Sequence, residues 1–389
     1  MLPLFALLFA APLFAQSFAA GHANLVLANP TGQGSANIPA TVYYPAATAG
    51  LGVPLLPRPS GHRVLVFLHG LNVLGSGYGA LGTRFAQHGY VVVLGNTAQS
   101  SASLQVQDGI ATFAALAQAN SQPGLLQGAL DMTRVGLAGH SMGGATTPGV
   151  LAANPGYRCG FCFSPGVAPA AAQVTVPMAV CHGAGDTFLD WQTFGLPLYQ
   201  NLTAVQQLRS FHLMNTDCTH GNVAGFVQAT QVDRDVFAAT SNVALGFFAC
   251  FLDGDVQGLE HVIGDAARSE PRLQQLDCEV RAPQHWAAGR PGLGQTFLLR
   301  IGTEPGPVAL FTAASQASWP TPFGLALLDP GSLLVVAAGT AANDRLWSLP
   351  VAVPTDPSLV GFTLLTQGLG LGTAPTWLTT GLAITIVEP

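Results

Sequence analysis

The chain contains no lysine; all 13 of its basic residues are arginine. Charge of either sign is scarce, with charged residues at 8% where about a quarter is usual. The formal net charge is −6 and the arginines form no cluster. A surface that grips phosphate backbones needs concentrated positive charge, so nucleic acid is not an expected partner. Beyond the N-terminus no run approaches ~20 uninterrupted apolar residues, so no membrane-spanning helix is expected. Cys159-x-x-Cys162 has no second pair nearby, which argues against a structural zinc site. What the chain does have is small residues: 46 glycines, within a composition that is 49% hydrophobic. Its 389 residues suffice for one large domain or two medium ones.

Residues 1–20 begin Met1-Leu2-Pro3-Leu4-Phe5-Ala6-Leu7-Leu8 and end in small residues. The stretch is apolar and too short to span a bilayer. It reads as a secretory signal peptide cleaved between about Ala15 and Ala20, although it lacks the usual basic residue near its start. The expected location is therefore secreted or extracytoplasmic. Six cysteines in an exported chain permit up to three bridges. Cys181–Cys218 and Cys250–Cys278 are the favoured pairs, with buried free thiols as the alternative.

Residues 22–29 and 38–46 read as two strands around the turn Pro30-Thr31-Gly32-Gln33-Gly34. A Gly- and Pro-rich loop then leads to a continuous apolar strand at 63–70. A helix over 78–88, a strand at 90–94 and a helix over 103–119 follow; the last has Leu104, Val106, Ile110, Phe113 and Leu116 at helical spacing. Further strands are expected at 157–163, 176–182 and 210–214, with a closing helix over 243–252. Strands alternating with helices imply an α/β fold, a mostly parallel sheet covered on both faces. Residues 254–277, with acidic side chains beside Arg268 and Arg272, read as a helical linker. From 278 to 389 seven short apolar runs recur between turn signals, which suggests a smaller β-sandwich-like domain. The expected division is a signal peptide at 1–20, a first domain at 21–253, the linker, and an accessory domain at 278–389.

The centre of the first domain is Val135-Gly136-Leu137-Ala138-Gly139-His140-Ser141-Met142-Gly143-Gly144. It reads as a buried strand, a tight turn carrying Ser141, and a helix over 145–153, blemished by Pro148. Glycines two residues either side leave room for a serine held above the sheet at a helix N-terminus. Gly139-His140-Ser141-Met142-Gly143-Gly144 resembles the nucleophile elbow of the α/β-hydrolases. The resemblance covers residues 22–253 and extends to the Phe67-Leu68-His69-Gly70 turn and to Arg84-Phe85-Ala86-Gln87-His88-Gly89-Tyr90-Val91-Val92-Val93. It is closest to the branch holding dienelactone hydrolase-like proteins, platelet-activating-factor acetylhydrolases, chlorophyllase-like enzymes and bacterial cutinases or polyester hydrolases. The C-terminal part loosely resembles a module common on secreted planctomycete proteins. That likeness rests on the run from Asp356 to Gln367 and on Gly381-Leu382-Ala383-Ile384-Thr385-Ile386, and implies export and an accessory role, including contact with a surface or polymer.

A serine hydroxyl needs a base, and the base needs a carboxylate to hold its tautomer. The resemblance implies the order serine, acid, histidine. Asp186 follows the strand ending Cys181-His182-Gly183 and is the expected acid; Asp190, further into the loop, is its rival. His220 falls just past the last strand and is the expected base, whereas His212 lies inside that strand. His140, His69 and His182 read as packing or turn residues. The His-Gly turn resembles an oxyanion turn, so the N–H groups of Leu71 and Met142 are the expected oxyanion donors. Little chain separates the strand at 157–163 from Asp186, which leaves no room for a large lid. Polyester hydrolases usually place an aromatic residue after the oxyanion turn and a tryptophan after the strand that follows the elbow. Here Leu71 and the Pro165-Gly166-Val167 region stand there, and Phe188 and Trp191 are further candidates for an apolar substrate wall, with packing beneath the loop as the alternative. The implied activity is cleavage of carboxylic esters, from short-chain esters to lipids or polyesters, with no cofactor and no metal. The rival readings are a non-catalytic binding protein on the same scaffold and an amidase or peptidase of the same fold.

Overall fold

The apolar runs between residues 19 and 280 assemble into one ten-stranded sheet. The computed structural model describes residues 5–7, 18–98, 100–372 and 377–389; most of the expected signal peptide, 1–4 and 8–17, lies outside the described residues. Strands β1 (Ala19–Ala28) and β2 (Asn37–Ala46) form the expected hairpin. Then come β3 (His62–Leu68), α1 (Gly79–Gln87), β4 (Tyr90–Gly95), α2 (Ala102–Ser121), β5 (Leu130–His140), α3 (Met142–Ala153), β6 (Tyr157–Phe163), β7 (Met178–Gly183), α4 (Gly195–Asn201), β8 (Leu208–Met214) and α5 (Gln231–Phe248). The spatial order is β9-β8-β7-β6-β5-β3-β4-β2-β1, where β9 is Leu273–Val280 and the two-residue strand Gly50–Leu51 sits outside β1. Strands β3 to β8 run parallel; β1 with β2, β2 with β4, and β9 with β8 pair antiparallel, and Gly50–Leu51 lies parallel to β1.

Alternation along each strand divides the apolar side chains between two faces. Val64 and Val66, Val91 and Val93, and Val135 and Leu137 belong to one core cluster. Leu65 and Phe67, Val92 and Leu94, and Phe161 and Phe163 belong to the other. Helices cover both faces, as a mostly parallel sheet requires. Pro148 lies inside α3, where its missing N–H would strand the carbonyl of Gly144. The Cys162 thiol fills the gap, donating to Gly144 O at 3.1 Å.

The expected linker is folded. Helix α5 starts at Gln231 rather than at 243, behind a Thr230–Asp233 capping box. It passes into a single π turn at Ala249–Asp253. A 3-10 turn (Val256–His261) and a short helix (Asp265–Arg268) lead directly into β9. Helix Gln231–Asp253 is long and apolar enough to cross a membrane, but 78% of its most apolar window is buried inside the protein.

Beyond β9 the described residues form strands, with two short 3-10 turns at Pro330–Ser332 and Pro357–Leu359. Gln284–Ala288, Thr296–Gly302 and Leu346–Ala352 form one antiparallel sheet. Gly306–Ala313, Leu334–Ala341, Thr363–Gly370 and Leu378–Thr385 form a second, with Phe5–Leu7 laid parallel along its last strand. Gln316–Thr321 and Gly324–Leu328 make a separate hairpin. The two lobes are clamped by ion pairs. Buried Arg300 meets Glu260 and Asp265, Trp286 Nε1 donates to Glu260 at 2.9 Å, and Glu304 pairs with Arg345 while accepting from Val280 N.

The expected bridges Cys181–Cys218 and Cys250–Cys278 are not formed. All six cysteines are free, buried thiols. They fill the core as small apolar side chains, and burial pushes each of them up, Cys278 to about 11.

His140, His212 and His285 are among the histidines buried as neutral rings. Burial holds His140 and His212 down at about 3 and His285 at about 4. In the unfolded chain each would titrate near about 6.5. Below that pH the unfolded state binds more protons, so the stability tied to these rings is complete above about 6.5 and is lost as pH falls toward the folded values. Thermal midpoints should therefore be level from pH 8 to about 6.5 and fall steadily from there to pH 4. A level profile down to pH 4 would contradict this account.

Candidate active site

Strand β5 delivers Ser141 at φ 57 and ψ −118, in the left-handed region that a non-glycine residue occupies only at a cost of about 1–3 kcal/mol. The flanking glycines permit the turn. A Cβ on Gly139 would lie 2.3 Å from Gly143 O, and one on Gly143 would lie 2.0 Å from Leu68 O. The turn is held from outside: Ser141 N donates to Phe163 O at 3.1 Å, and Ser141 O accepts from Gly166 N and Ala145 N.

His220 sits in the loop between β8 and α5. Asn222 fastens that loop, accepting from Thr219 N at 2.8 Å and donating to Asp217 O and to Asp233 at the start of α5. The imidazole faces two ways. Its Nε2 is 3.0 Å from Ser141 Oγ and its Nδ1 is 2.7 Å from Asp186 Oδ2. Asp186 lies just past β7 with its carboxylate fully buried. Its Oδ1 accepts from the N–H groups of Phe188 (3.0 Å) and Leu189 (2.8 Å). Burial pushes this carboxyl up, but hydrogen bonds from His182, His220 and Leu189 outweigh it and hold the group well below the usual carboxylate range. An ionised Asp186 accepts at Nδ1, which leaves His220 Nε2 as the lone pair facing the serine hydroxyl.

The structure thus brings together Ser141, Asp186 and His220. The rivals lie elsewhere. Asp190 caps its own turn through Thr193 N and Oγ1, and His212 is buried within β8 with Nε2 3.1 Å from Ser210 Oγ.

Met142 is the first residue of α3, where the backbone N–H has no partner within the helix. Gly70 packs beside the elbow, a Cβ on it lying 3.4 Å from Ser141 Cβ. The side chains of Leu71, Val167 and Phe188 are 50%, 70% and 73% exposed. The Phe188 ring lies 5.1 Å from that of His220. Trp191 does not join them: its ring packs on Phe211 of β8, against the core.

Residues that the sequence did not mark are also present. His182, fully buried, donates from Nε2 to Leu189 O at 2.8 Å, and the same nitrogen is 3.5 Å from Asp186 Oδ2. Its place at the end of a buried strand read as packing, and nothing in the local pattern distinguishes the two. Phe226 is 40% exposed and lies 5.3 Å from the ring of Tyr78. Among the described residues no group of three or more His, Cys, Asp or Glu side chains is set to hold a metal ion.

A family model described as PETase, PET hydrolase-like, matches residues 16–257. The chain belongs to the PET hydrolase-like family. No curated protein matches it. The match runs from ahead of β1 to the 3-10 turn beyond α5, so the elbow, Asp186 and His220 all lie within the PET hydrolase-like part. Membership supports an α/β-hydrolase that acts on ester or polyester bonds. Strand β9 and the C-terminal lobe lie beyond the match.

Proposed function

We propose that the protein is a secreted serine hydrolase that cleaves carboxylic esters, polyesters included, through Ser141, His220 and Asp186. The observation that carries this reading is the continuous hydrogen-bonded series Ser141 Oγ–His220 Nε2 (3.0 Å) and His220 Nδ1–Asp186 Oδ2 (2.7 Å) at the tip of a strand-turn-helix elbow. His220 takes the Ser141 proton as Oγ attacks the ester carbonyl. The N–H groups of Leu71 and Met142 hold the oxyanion. Collapse of the tetrahedral intermediate passes the proton from His220 to the leaving alcohol, and water activated by His220 then frees the acid. Asp186 fixes the imidazole tautomer and stabilises the imidazolium. Leu71, Val167 and Phe188 form an open apolar rim, suited to an acyl or polymer segment lying across the surface rather than entering a deep tunnel.

The test is hydrolysis of a p-nitrophenyl ester series from acetate to octanoate, beside amorphous PET film. Diethyl p-nitrophenyl phosphate is used in parallel to trap the nucleophile. Ester turnover, with a diethylphosphoryl adduct on the peptide holding Ser141, is the expected result. Absence of turnover on every ester, or an adduct elsewhere, would overturn the reading. Export is part of the same proposal. Phe18 N donates to Gln87 O and β1 starts at Ala19, so cleavage has to fall earlier to leave the ten-stranded sheet whole, and it removes Phe5–Leu7 from the edge of the C-terminal sheet. A mature chain beginning at Gln16 is the expected mass.

A further inference from the structure

Tyr78 ends the 3-10 turn Gly75–Tyr78 and is fully buried, its ring 4.7 Å from Phe67. Its hydroxyl meets two groups: Gly70 N at 3.1 Å and His140 Nδ1 at 2.8 Å. The other nitrogen of His140, Nε2, is 2.8 Å from the backbone oxygen of His220. The direction of each bond follows from the two ends. A backbone N–H can only donate and a carbonyl can only accept. Hence Gly70 N–H donates to the Tyr78 oxygen, the Tyr78 O–H donates to Nδ1, and His140 Nε2–H donates to His220 O. Every hydrogen in the series has one place to go, and all of them are placed with His140 neutral.

We propose that Tyr78 and His140 are positioning residues that lock the oxyanion turn at Gly70 to the loop carrying His220. This rests on the Ser141–His220–Asp186 reading above. The two segments come from opposite ends of the domain's chain, after β3 and after β8, and must keep a fixed spacing for proton transfer and oxyanion binding to share one geometry. A misplacement of about 1 Å in such a site can cost about 100-fold in rate. The buried series sets that spacing from behind, without touching substrate. His69 lies on the other side of the same turn, with Nδ1 2.8 Å from Gly70 O and Nε2 2.6 Å from Thr97 O. A neutral His140 also suits its place. Its ring centroid is 4.6 Å from that of His220, and a charge there would oppose the imidazolium that His220 becomes. Burial, with the neighbouring His220 adding to it, keeps that ring uncharged.

The experiment compares Tyr78→Phe, His140→Leu and His140→Gln with the wild type and Ser141→Ala. Its readouts are kcat, KM, thermal midpoint and amide exchange by mass spectrometry. Tyr78→Phe keeps the ring and removes only the hydroxyl. It should lower kcat about 10-fold with KM within about twofold, and speed exchange in residues 68–73. His140→Leu should lower kcat about 100-fold and speed exchange at both 68–73 and 218–222. Glutamine can still donate to His220 O, so His140→Gln should recover most of that loss. Wild-type kcat and unchanged exchange in Tyr78→Phe and His140→Leu would overturn the proposal. So would equal losses in His140→Gln and His140→Leu accompanied by equal drops in thermal midpoint, the mark of a purely structural role. If the wild type turns over no ester, the triad reading falls, while exchange at the two segments still decides whether the lock exists.

Discussion

Ser141→Ala is expected to abolish ester turnover, lowering kcat by about 10⁵- to 10⁶-fold. The size follows from what is removed. Without Oγ there is no covalent intermediate, and what remains is binding and the oxyanion donors acting on a water attack. The fold should be unaffected, for a specific reason. The strain at φ 57 comes from the presence of a Cβ, and alanine keeps it. The change therefore isolates the chemistry. Steady-state rates on p-nitrophenyl butyrate should fall to the level of the buffer, with a thermal midpoint within about 2 °C of the wild type, as expected for a change worth under about 0.5 kcal/mol. A variant that keeps even a tenth of the wild-type rate would mean that another residue is the nucleophile.

Asp186→Asn should lower kcat by about 10⁴-fold through the tautomer alone. The amide has the shape of the carboxylate, and its orientation is determined by its surroundings. The N–H groups of Phe188 and Leu189 need an acceptor, so the amide oxygen takes the place of Oδ1. The NH2 then replaces Oδ2 and points at His220 Nδ1. The ring must accept there, which moves its proton to Nε2 and aims a hydrogen at Ser141 Oγ instead of a lone pair. His182 makes this worse, because its Nε2–H lies 3.5 Å from the same position. Binding should be little changed, so the loss should fall on kcat rather than KM. Equal rates in Asp186→Asn and the wild type would show that the tautomer is held by something else. The depressed carboxyl also sets a sign. The stability that Asp186 contributes is present above the usual carboxylate pKa and is lost only as pH falls through its much lower folded value. Inactivation in mildly acidic solution is therefore not a titration of Asp186.

Ser141, Asp186 and His220 could be picked out because each lies at or shortly beyond the carboxyl end of an apolar strand, and such strands announce themselves by composition. The parts that could not be read are of two kinds. Some depend on contacts through space: nothing near Tyr78 or His140 signals that their side chains meet, and Trp191 gives no sign that it turns onto Phe211. Others concern elements whose exposed side hides their period. The first turn of α5, Gln231-Val232-Asp233-Arg234-Asp235, is solvent-facing, and its apolar positions become regular only from Val236. The capping box Thr230–Asp233 was the available signal. Strand β9 mixes Leu273, Leu276, Cys278 and Val280 with glutamines and acids because it is a half-buried edge, and that mixture reads as a polar helix. The cysteines illustrate a third limit: an even count says what could pair, and only packing says that each thiol is enclosed on its own.

The family match ends at residue 257, yet the sheet is completed by β9, sixteen residues further on, from chain already on its way into the C-terminal lobe. Phe247, Ile263, Trp286 and Leu382 then share a single apolar cluster that runs through both lobes. The part of the chain that is recognisable by kinship and the part expected to melt as a unit consequently have different ends. A gene cut where the kinship stops would leave the fully buried β8 with a bare hydrogen-bonding edge and one wall of its core in water. What looks like an appendage in the sequence is, in cooperative terms, the closing piece of the hydrolase itself.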